Sequence, residues 1–193
     1  MKDRKMSKPS QGKEFQRVGM VARWKPVHLG HVPVLHGLCD HAEQIIIGIG
    51  SSNRYDFRNP FTLEETIEML HIGLTDRENY TLIPVPDLDD GPRWRMMIME
   101  LFGKLDCFVT DNPYVSHLLS EAYHVQAPIK FVREEDRVRL NGTMVRRSMA
   151  QGDEWQELVP KGISEYIINK KLDLRFRQEF GLQTIALETI IKN

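Results

Sequence analysis

The segment 44–50, QIIIGIG, has no polar residue after its first and therefore cannot be a strand with one wet face. A short run that is apolar on both sides must be covered on both sides, as in a parallel sheet sandwiched between helices. The rest of the chain keeps the matching rhythm. Short runs rich in β-branched and aromatic residues at 18–22, 80–85, 107–110 and 129–132 alternate with helical patterns at 28–42, 94–102 and 115–122. Within 28–42, Val32, Leu35, Leu38 and Cys39 form the apolar stripe, and Pro33 fits because it falls in the first turn. Thr62 and Glu65 form a capping box that opens another helix, with Ile67, Leu70 and Leu74 on its buried side. Beyond Gly142 the pattern turns helical through 143–150, 163–171 and the amphipathic stretch 172–191. These features define an α/β chain with a parallel sheet of about five strands.

With 193 residues, the chain has enough length for one well-buried core and little for two. We read a polar, Lys-rich tail at 1–16 as frayed, a single domain over 17–171, and 172–193 as a helical segment of that same domain. The 26 basic and 27 acidic side chains leave a net charge of −1, so no global field recruits nucleic acid or an anionic membrane, and any phosphate site must be local. Cys39 and Cys107 form no metal-binding or disulfide pattern, which fits a reducing cytoplasm. No apolar run approaches the roughly 20 residues of a membrane span.

In an open parallel sheet, ligands bind beyond the carboxyl ends of the strands. The segment leaving the first strand delivers Arg23, Lys25 and His28 before the helix, with Pro26 restricting the loop. His28-Leu29-Gly30-His31 follows. Imidazoles spaced i, i+3 share one side of a first helical turn, Gly30 lets backbone approach a ligand, and the turn's amides attract an anion. Metal binding is the weaker reading of this pair, because no Glu lies between the histidines and no cysteine is near. A second helix start, Asn141-Gly142-Thr143-Met144-Val145-Arg146-Arg147, offers a cap, a hydroxyl and a guanidinium three residues on, which suits the same anion. Taken alone, it reads more readily as an ordinary capped helix with two exposed arginines, and the pairing with the His-Leu-Gly-His loop is what favours the anion site. A third group, Asp87-Leu88-Asp89-Asp90 followed by Trp94 between Arg93 and Arg95, suits a base or pyridine ring beside a phosphate, or simple packing and capping. It lacks the spacing of a calcium loop. Arg58 either binds phosphate or faces solvent.

With these groups in place, the sequence resembles the nucleotidyltransferases that carry a His-x-Gly-His signature, and among them the archaeal-type nicotinamide mononucleotide adenylyltransferases. The likeness runs from about Arg17 to about Ile168 through VARWKPVHLGH, IIIGIGSSN, NPFTLEETIEML, IPVPDLDD with Trp94, DNPYV and NGTMVRRSM. It implies a Rossmann-like domain that moves AMP from ATP to the phosphate of nicotinamide mononucleotide, giving NAD and pyrophosphate, with Mg2+ carried on the substrate phosphates. By position, His28 and His31 would bind the ATP phosphates with support from Arg23, and Thr143 and Arg146 would hold the far phosphates. Trp94 would stack on the nicotinamide ring, Arg58 would hold the mononucleotide phosphate, and Asp87 and Asn112 would lie near the mononucleotide or the adenosine. Gly30 and Lys25 belong to the same nucleotide-binding loop. The resemblance also implies self-association.

The chain departs from the usual pattern at Lys25, where an amide is common, at Asn141 in place of serine, at Met144 in place of an acid, and at Thr66 in place of arginine. Arg93 and Arg95 add charge around Trp94. The phosphate-binding residues are untouched, whereas the acceptor stays open: nicotinate mononucleotide, another phosphorylated acceptor, or CTP as the donor in a cytidylyltransferase-like reaction. A nucleotide sensor without turnover is the alternative outside enzymes.

Overall fold

The computed structural model describes residues 12–191. Five parallel strands, β1 (Phe15–Ala22), β2 (Ala42–Gly50), β3 (Tyr80–Val85), β4 (Cys107–Val109) and β5 (Val125–Gln126), form one sheet in the order β3-β2-β1-β4-β5. Helices α1 (Val32–His41) and α2 (Leu63–Gly73) link β1, β2 and β3, while α3 (Gly91–Phe102) and α4 (Pro113–Leu119) lead to β4 and β5. Right-handed crossovers require helices that carry the chain in opposite directions along a sheet to lie on opposite faces. The packing agrees: Leu35, Leu38, Met69 and Leu70 of α1 and α2 join one core, and Ile98, Phe102 and Leu119 of α3 and α4 join the other.

β2 shows why its sequence has no polar alternation. Ile45, Ile47 and Ile49 enter the first core and Ile46 the second. Gly48 lies where a methyl group would come within 2.6 Å of Val21 and 2.9 Å of Phe102, so its missing side chain is what lets the second layer seat. The capping box at the start of α2 forms as the sequence predicts, with the Glu65 amide donating to the Thr62 hydroxyl and the Thr62 amide donating to Glu65 Oε2.

Several boundaries move. β1 begins at Phe15, so the last residues assigned to the tail, Phe15 and Gln16, belong to the sheet; residues 1–11 of that tail lie outside the described region. α1 begins at Val32 instead of His28, with Pro33 in its first turn and His31 at the cap. The larger correction concerns the fifth strand. Residues 129–132 are not ladder: Pro128–Phe131 is a 3-10 turn, and the edge strand is the shorter Val125–Gln126. Pro128 cannot donate to a ladder, and Phe131 turns inward against α1, its ring 5.8 Å from that of His41.

The C-terminal segment is likewise subdivided. α5 (Gly142–Gln151) and α6 (Lys161–Asn169) are followed by α7 (Leu172–Phe176), a π turn at Arg177–Gly181, and α8 (Leu182–Ile191). α7 and α8 both pack against α5.

The 3-10 turn approaches α1 so closely that a methyl group on Gly37 would sit 1.8 Å from the Phe131 carbonyl oxygen. Alanine normally improves a helix interior by about 1 kcal/mol over glycine. At Gly37 the backbone collision reverses the sign, and Gly37→Ala is expected to destabilise the protein by about 1–3 kcal/mol in urea titrations; a neutral or stabilised variant would refute this packing.

Candidate active site

The carboxyl ends of β1–β4 open into a cavity of about 510 Å³ whose wall includes Arg23, Ser51, Asp87, Trp94, Asn112 and Tyr114. It lies where the strand order reverses beside β1, the position at which an open α/β sheet leaves a crevice.

The two histidines lie at the edge of this strand-end region, in the turn between β1 and α1. Their rings stack at 3.5 Å with an interplanar angle of 21°. This face-sharing arises from a tight turn ahead of the helix, closed by the His31 amide donating to the His28 carbonyl at 2.8 Å, and not from a first helical turn. The Gly30 amide donates to His28 Nδ1 at 3.1 Å, and the His28 amide faces His31 Nδ1 at 3.4 Å. An Nδ1 that accepts leaves the single proton of a neutral imidazole on Nε2. Both rings are held neutral. Burial, assisted by the Arg146 charge, pushes His28 down to about 4; burial, with His28 adding to it, holds His31 well below the usual imidazole range. Trp24 braces the pair from behind, edge-on to His31 at 4.8 Å, its indole N–H bonded to the Gly48 carbonyl at 2.9 Å.

The second helix start meets this turn. Asn141 caps α5 by accepting from the Met144 amide, and the first turn of α5 contains no acidic residue. Arg146 Nη1 donates to the Lys25 carbonyl at 2.9 Å, across 121 positions of sequence, and its Nη2 donates to Thr143 Oγ1 at 3.2 Å. A methyl group on Gly30 would lie 3.0 Å from the Leu140 carbonyl. The amino ends of α1 and α5, with His28, His31, Thr143 and Arg146, therefore form one continuous surface. The amides of residues 28–32 are bonded within this turn or to the Leu158 carbonyl, so what the two helix starts present together is their positive dipole ends, the imidazoles and the Arg146 guanidinium.

A family model for cytidylyltransferase-like proteins matches residues 21–148, which contain both helix starts and the cavity wall. The chain belongs to the cytidylyltransferase-like family. Among its relatives, the nicotinamide-nucleotide adenylyltransferase of Pyrococcus furiosus is 36% identical over 76% of this chain and 80% of its own length. That of Saccharolobus solfataricus is 34% identical over 82% of this chain and 94% of its own length. A crystal structure of a bifunctional NMN adenylyltransferase/ADP ribose pyrophosphatase from Francisella tularensis, complexed with AMP and a manganese ion, matches the fold with a TM-score of 0.68 at 14% identity. The match covers 93% of this chain and 56% of that one, so this chain spans little more than half of the bifunctional protein.

In this cytidylyltransferase-like chain, the other residues singled out from sequence separate into two groups. Arg23, Asp87, Trp94 and Asn112 line the cavity. The Asn112 carbonyl oxygen is occupied in capping α4, accepting from the Tyr114 and Val115 amides, and Trp94 packs partly onto the second core. Lys25 and Arg58 stand apart from the cavity wall. Lys25 is buried and its ammonium donates to the Ser51 carbonyl at 3.0 Å, tying the exit of β1 to the exit of β2. Burial lowers its pKa, with Asp56 and Asp87 pulling the other way. Arg58 is exposed on a neighbouring turn, its guanidinium 5.2 Å from the centre of the Phe57 ring. The extra charge expected around Trp94 is partly spent, since Arg95 pairs with Glu121 at 2.7 Å.

Sequence reasoning missed the clasp that shapes the acidic side of the cavity. Asn53 bonds both ways with the Asp87 backbone, at 2.8 and 3.0 Å, and Arg54 pairs with Asp87 and Asp89. It also missed Tyr114, whose hydroxyl lies 2.1 Å from where a Gly91 methyl group would be. Three non-glycine residues, Trp24, Ser51 and Asp89, adopt positive φ (56°, 52° and 54°) in the loops leaving β1, β2 and β3. Such conformations cost about 1–3 kcal/mol each and collect at functional sites.

The neutral histidines give a pH test. A His28 pKa of about 4 in the fold, against about 6.5 unfolded, favours folding above pH 6.5. That contribution, ~3 kcal/mol, disappears as pH falls from about 6.5 to about 4. Urea titrations of ligand-free protein should lose stability across this window, and His28→Asn should lose less of it; parallel curves would contradict the assignment.

Proposed function

We propose that the protein transfers AMP from ATP to the 5′-phosphate of nicotinamide mononucleotide, forming NAD and pyrophosphate. The observation that carries this reading is the convergence of the stacked His28 and His31 with Thr143 and Arg146 where the amino ends of α1 and α5 meet. The relatives' shared activity supports it. An acceptor phosphate oxygen attacks the α-phosphorus of ATP as the bond from that phosphorus to the β-phosphate bridging oxygen breaks, and the electron pair leaves with pyrophosphate. No covalent bond to the protein is needed, so catalysis rests on alignment and on donors placed where charge accumulates.

In this reading, the Nε2–H groups of His28 and His31, with Arg23, bind the triphosphate and meet the charge that develops on the leaving group. A neutral imidazole whose Nδ1 accepts within the turn keeps its single proton on Nε2 and so has one donor for a phosphate oxygen. The α5 amino end, Thr143 and Arg146 hold the β and γ phosphates. Trp94 stacks on the pyridine ring, Asp87 and Asn112 take polar groups of the nucleosides, and Arg58 holds the acceptor phosphate. Gly30 lets the histidine turn close against the Leu140 carbonyl, and Lys25 acts by holding the loop in place.

Among the described residues, no group of three or more His, Cys, Asp or Glu is arranged to hold a metal ion. Asp87 and Asp89 are engaged by Arg54, and Asp90 caps α3. This donor set fits Mg2+ bound mainly to substrate phosphates and water, its usual preference; there it would neutralise phosphate charge. Among the described residues, no helix is long and apolar enough to cross a membrane, and Cys39 and Cys107 are free thiols. We read the protein as cytoplasmic. We also read it as self-associating, with Leu174 and Leu182 exposed on its C-terminal segment offering apolar surface.

Incubating the protein with magnesium, ATP and nicotinamide or nicotinate mononucleotide should release pyrophosphate and yield the corresponding dinucleotide; folded protein that releases none with either acceptor would refute the reading. Removing one donor to developing charge typically costs about 3 kcal/mol in the barrier, so His31→Ala and Arg146→Ala should each lower kcat about 100-fold or more. ATP binding, followed by calorimetry, should weaken far less.

A further inference from the structure

The segment 51–62 connects β2 to α2 without helix of its own and carries Arg58 on a turn. That turn holds itself together: the Asn59 amide donates to the Asp56 carbonyl at 2.8 Å, and the Arg58 and Asn59 amides donate to Asp56 Oδ1 at 2.7 and 2.9 Å. Local bonds fix its shape but not its position over the sheet. On the cavity side, Asn53 and Arg54 secure the segment to the Asp87 loop.

The opposite side is held by residues more than 100 positions later. The Tyr55 hydroxyl donates to Glu179, its ring meets Phe180 edge-on at 5.3 Å, and the Arg175 guanidinium lies 5.8 Å from its centre. Past the turn, Arg175 grips both carboxylate oxygens of Glu65, at 2.6 and 2.7 Å, and donates to the Pro60 carbonyl at 3.1 Å. The same Glu65 carboxylate closes the α2 capping box through the Thr62 amide at 2.9 Å. Arg175 thus ties together the two flanks of the Arg58 turn. Forked pairing of this kind fixes orientation as well as distance, which a lysine cannot reproduce. Glu179 and Phe180 belong to the π turn, an irregularity that recurs at functional sites.

We infer that Arg175, Glu179 and Phe180 are positioning residues for the acceptor: through Tyr55 and Pro60 they set where the Arg58 turn stands relative to the cavity, and hence how tightly the acceptor phosphate is held. This rests on the reading that Arg58 binds that phosphate. These bonds run to the Arg58 turn and to Glu65, while the packing of α7 and α8 on α5 is separate from them, so a change confined to the bonds, such as Tyr55→Phe, acts on one substrate.

The test measures pyrophosphate release by full-length Tyr55→Phe, Arg175→Lys and Arg58→Ala, varying nicotinamide mononucleotide at saturating ATP and then ATP at saturating mononucleotide, with melting temperatures alongside. Loss of one hydrogen bond corresponds to about a 3- to 10-fold change. Tyr55→Phe and Arg175→Lys should raise the acceptor KM by about that factor while the ATP KM stays within about twofold; Arg58→Ala should raise the acceptor KM at least as much. Tyr55→Phe keeps the ring packing and carries the test alone if Arg175→Lys fails to fold. The inference is overturned if both KM values rise together, or if Arg58→Ala raises the acceptor KM and Tyr55→Phe leaves it unchanged. An unchanged acceptor KM in Arg58→Ala removes the phosphate role of Arg58 and the inference with it, while continued NAD formation would leave the proposed reaction standing.

Discussion

Strand β1 is hydrogen-bonded along both edges, to β2 in register from Phe15 to Ala22 and to β4 from Val18 to Met20. A chain that builds outward from such a strand in one direction must later cross back to build in the other. The loops at the reversal then diverge, and a crevice opens at the carboxyl end of β1 that side chains from the exits of β1 to β4 can reach. Arg23 follows β1, Ser51 follows β2, Asp87 follows β3 and Asn112 follows β4. Their convergence is a property of topology before it is one of chemistry.

The site divides electrically along this crevice. At the phosphate end the groups are neutral imidazoles, helix amino ends and guanidinium, which favour negative charge. At the cavity end Asp87, Asp89, Asp90 and Asp111 line the wall. Arg54 pairs with Asp87 and Asp89, Asp90 caps α3 and Arg23 shares the wall, so this acidity is tempered and its carboxylates are held in place.

Features set by neighbours in sequence were legible from sequence. The buried strand 44–50, the Thr62–Glu65 cap, Tyr80–Val85 and the capped start of α5 all depend on local pattern, whereas a start of α1 read at His28 falls four residues early. The fifth strand was misread because Ile129, Phe131 and Val132 look alike whether they pair in a ladder or pack on a helix, and Gly37, which decides the matter, lies some 90 residues away. The Asn53–Asp87 clasp, the Arg54 pair and the Arg175–Glu65 fork were invisible for a similar reason: polar residues in loops acquire partners through topology, and spacing along the chain carries no trace of them. Lys25 shows what spacing leaves out: a lysine in such a loop reads as a ligand, and in the fold it is buried with its ammonium donating to the Ser51 carbonyl.

The bond from Arg146 to the Lys25 carbonyl joins segments 121 positions apart. The helix that supplies Arg146 also supplies Val145 and Met149 to the core that α1 and α2 build on the sheet. Closing that core and bringing the two helix starts together are therefore one event, and a change that loosens α5 from the sheet also draws Arg146 away from the histidine turn.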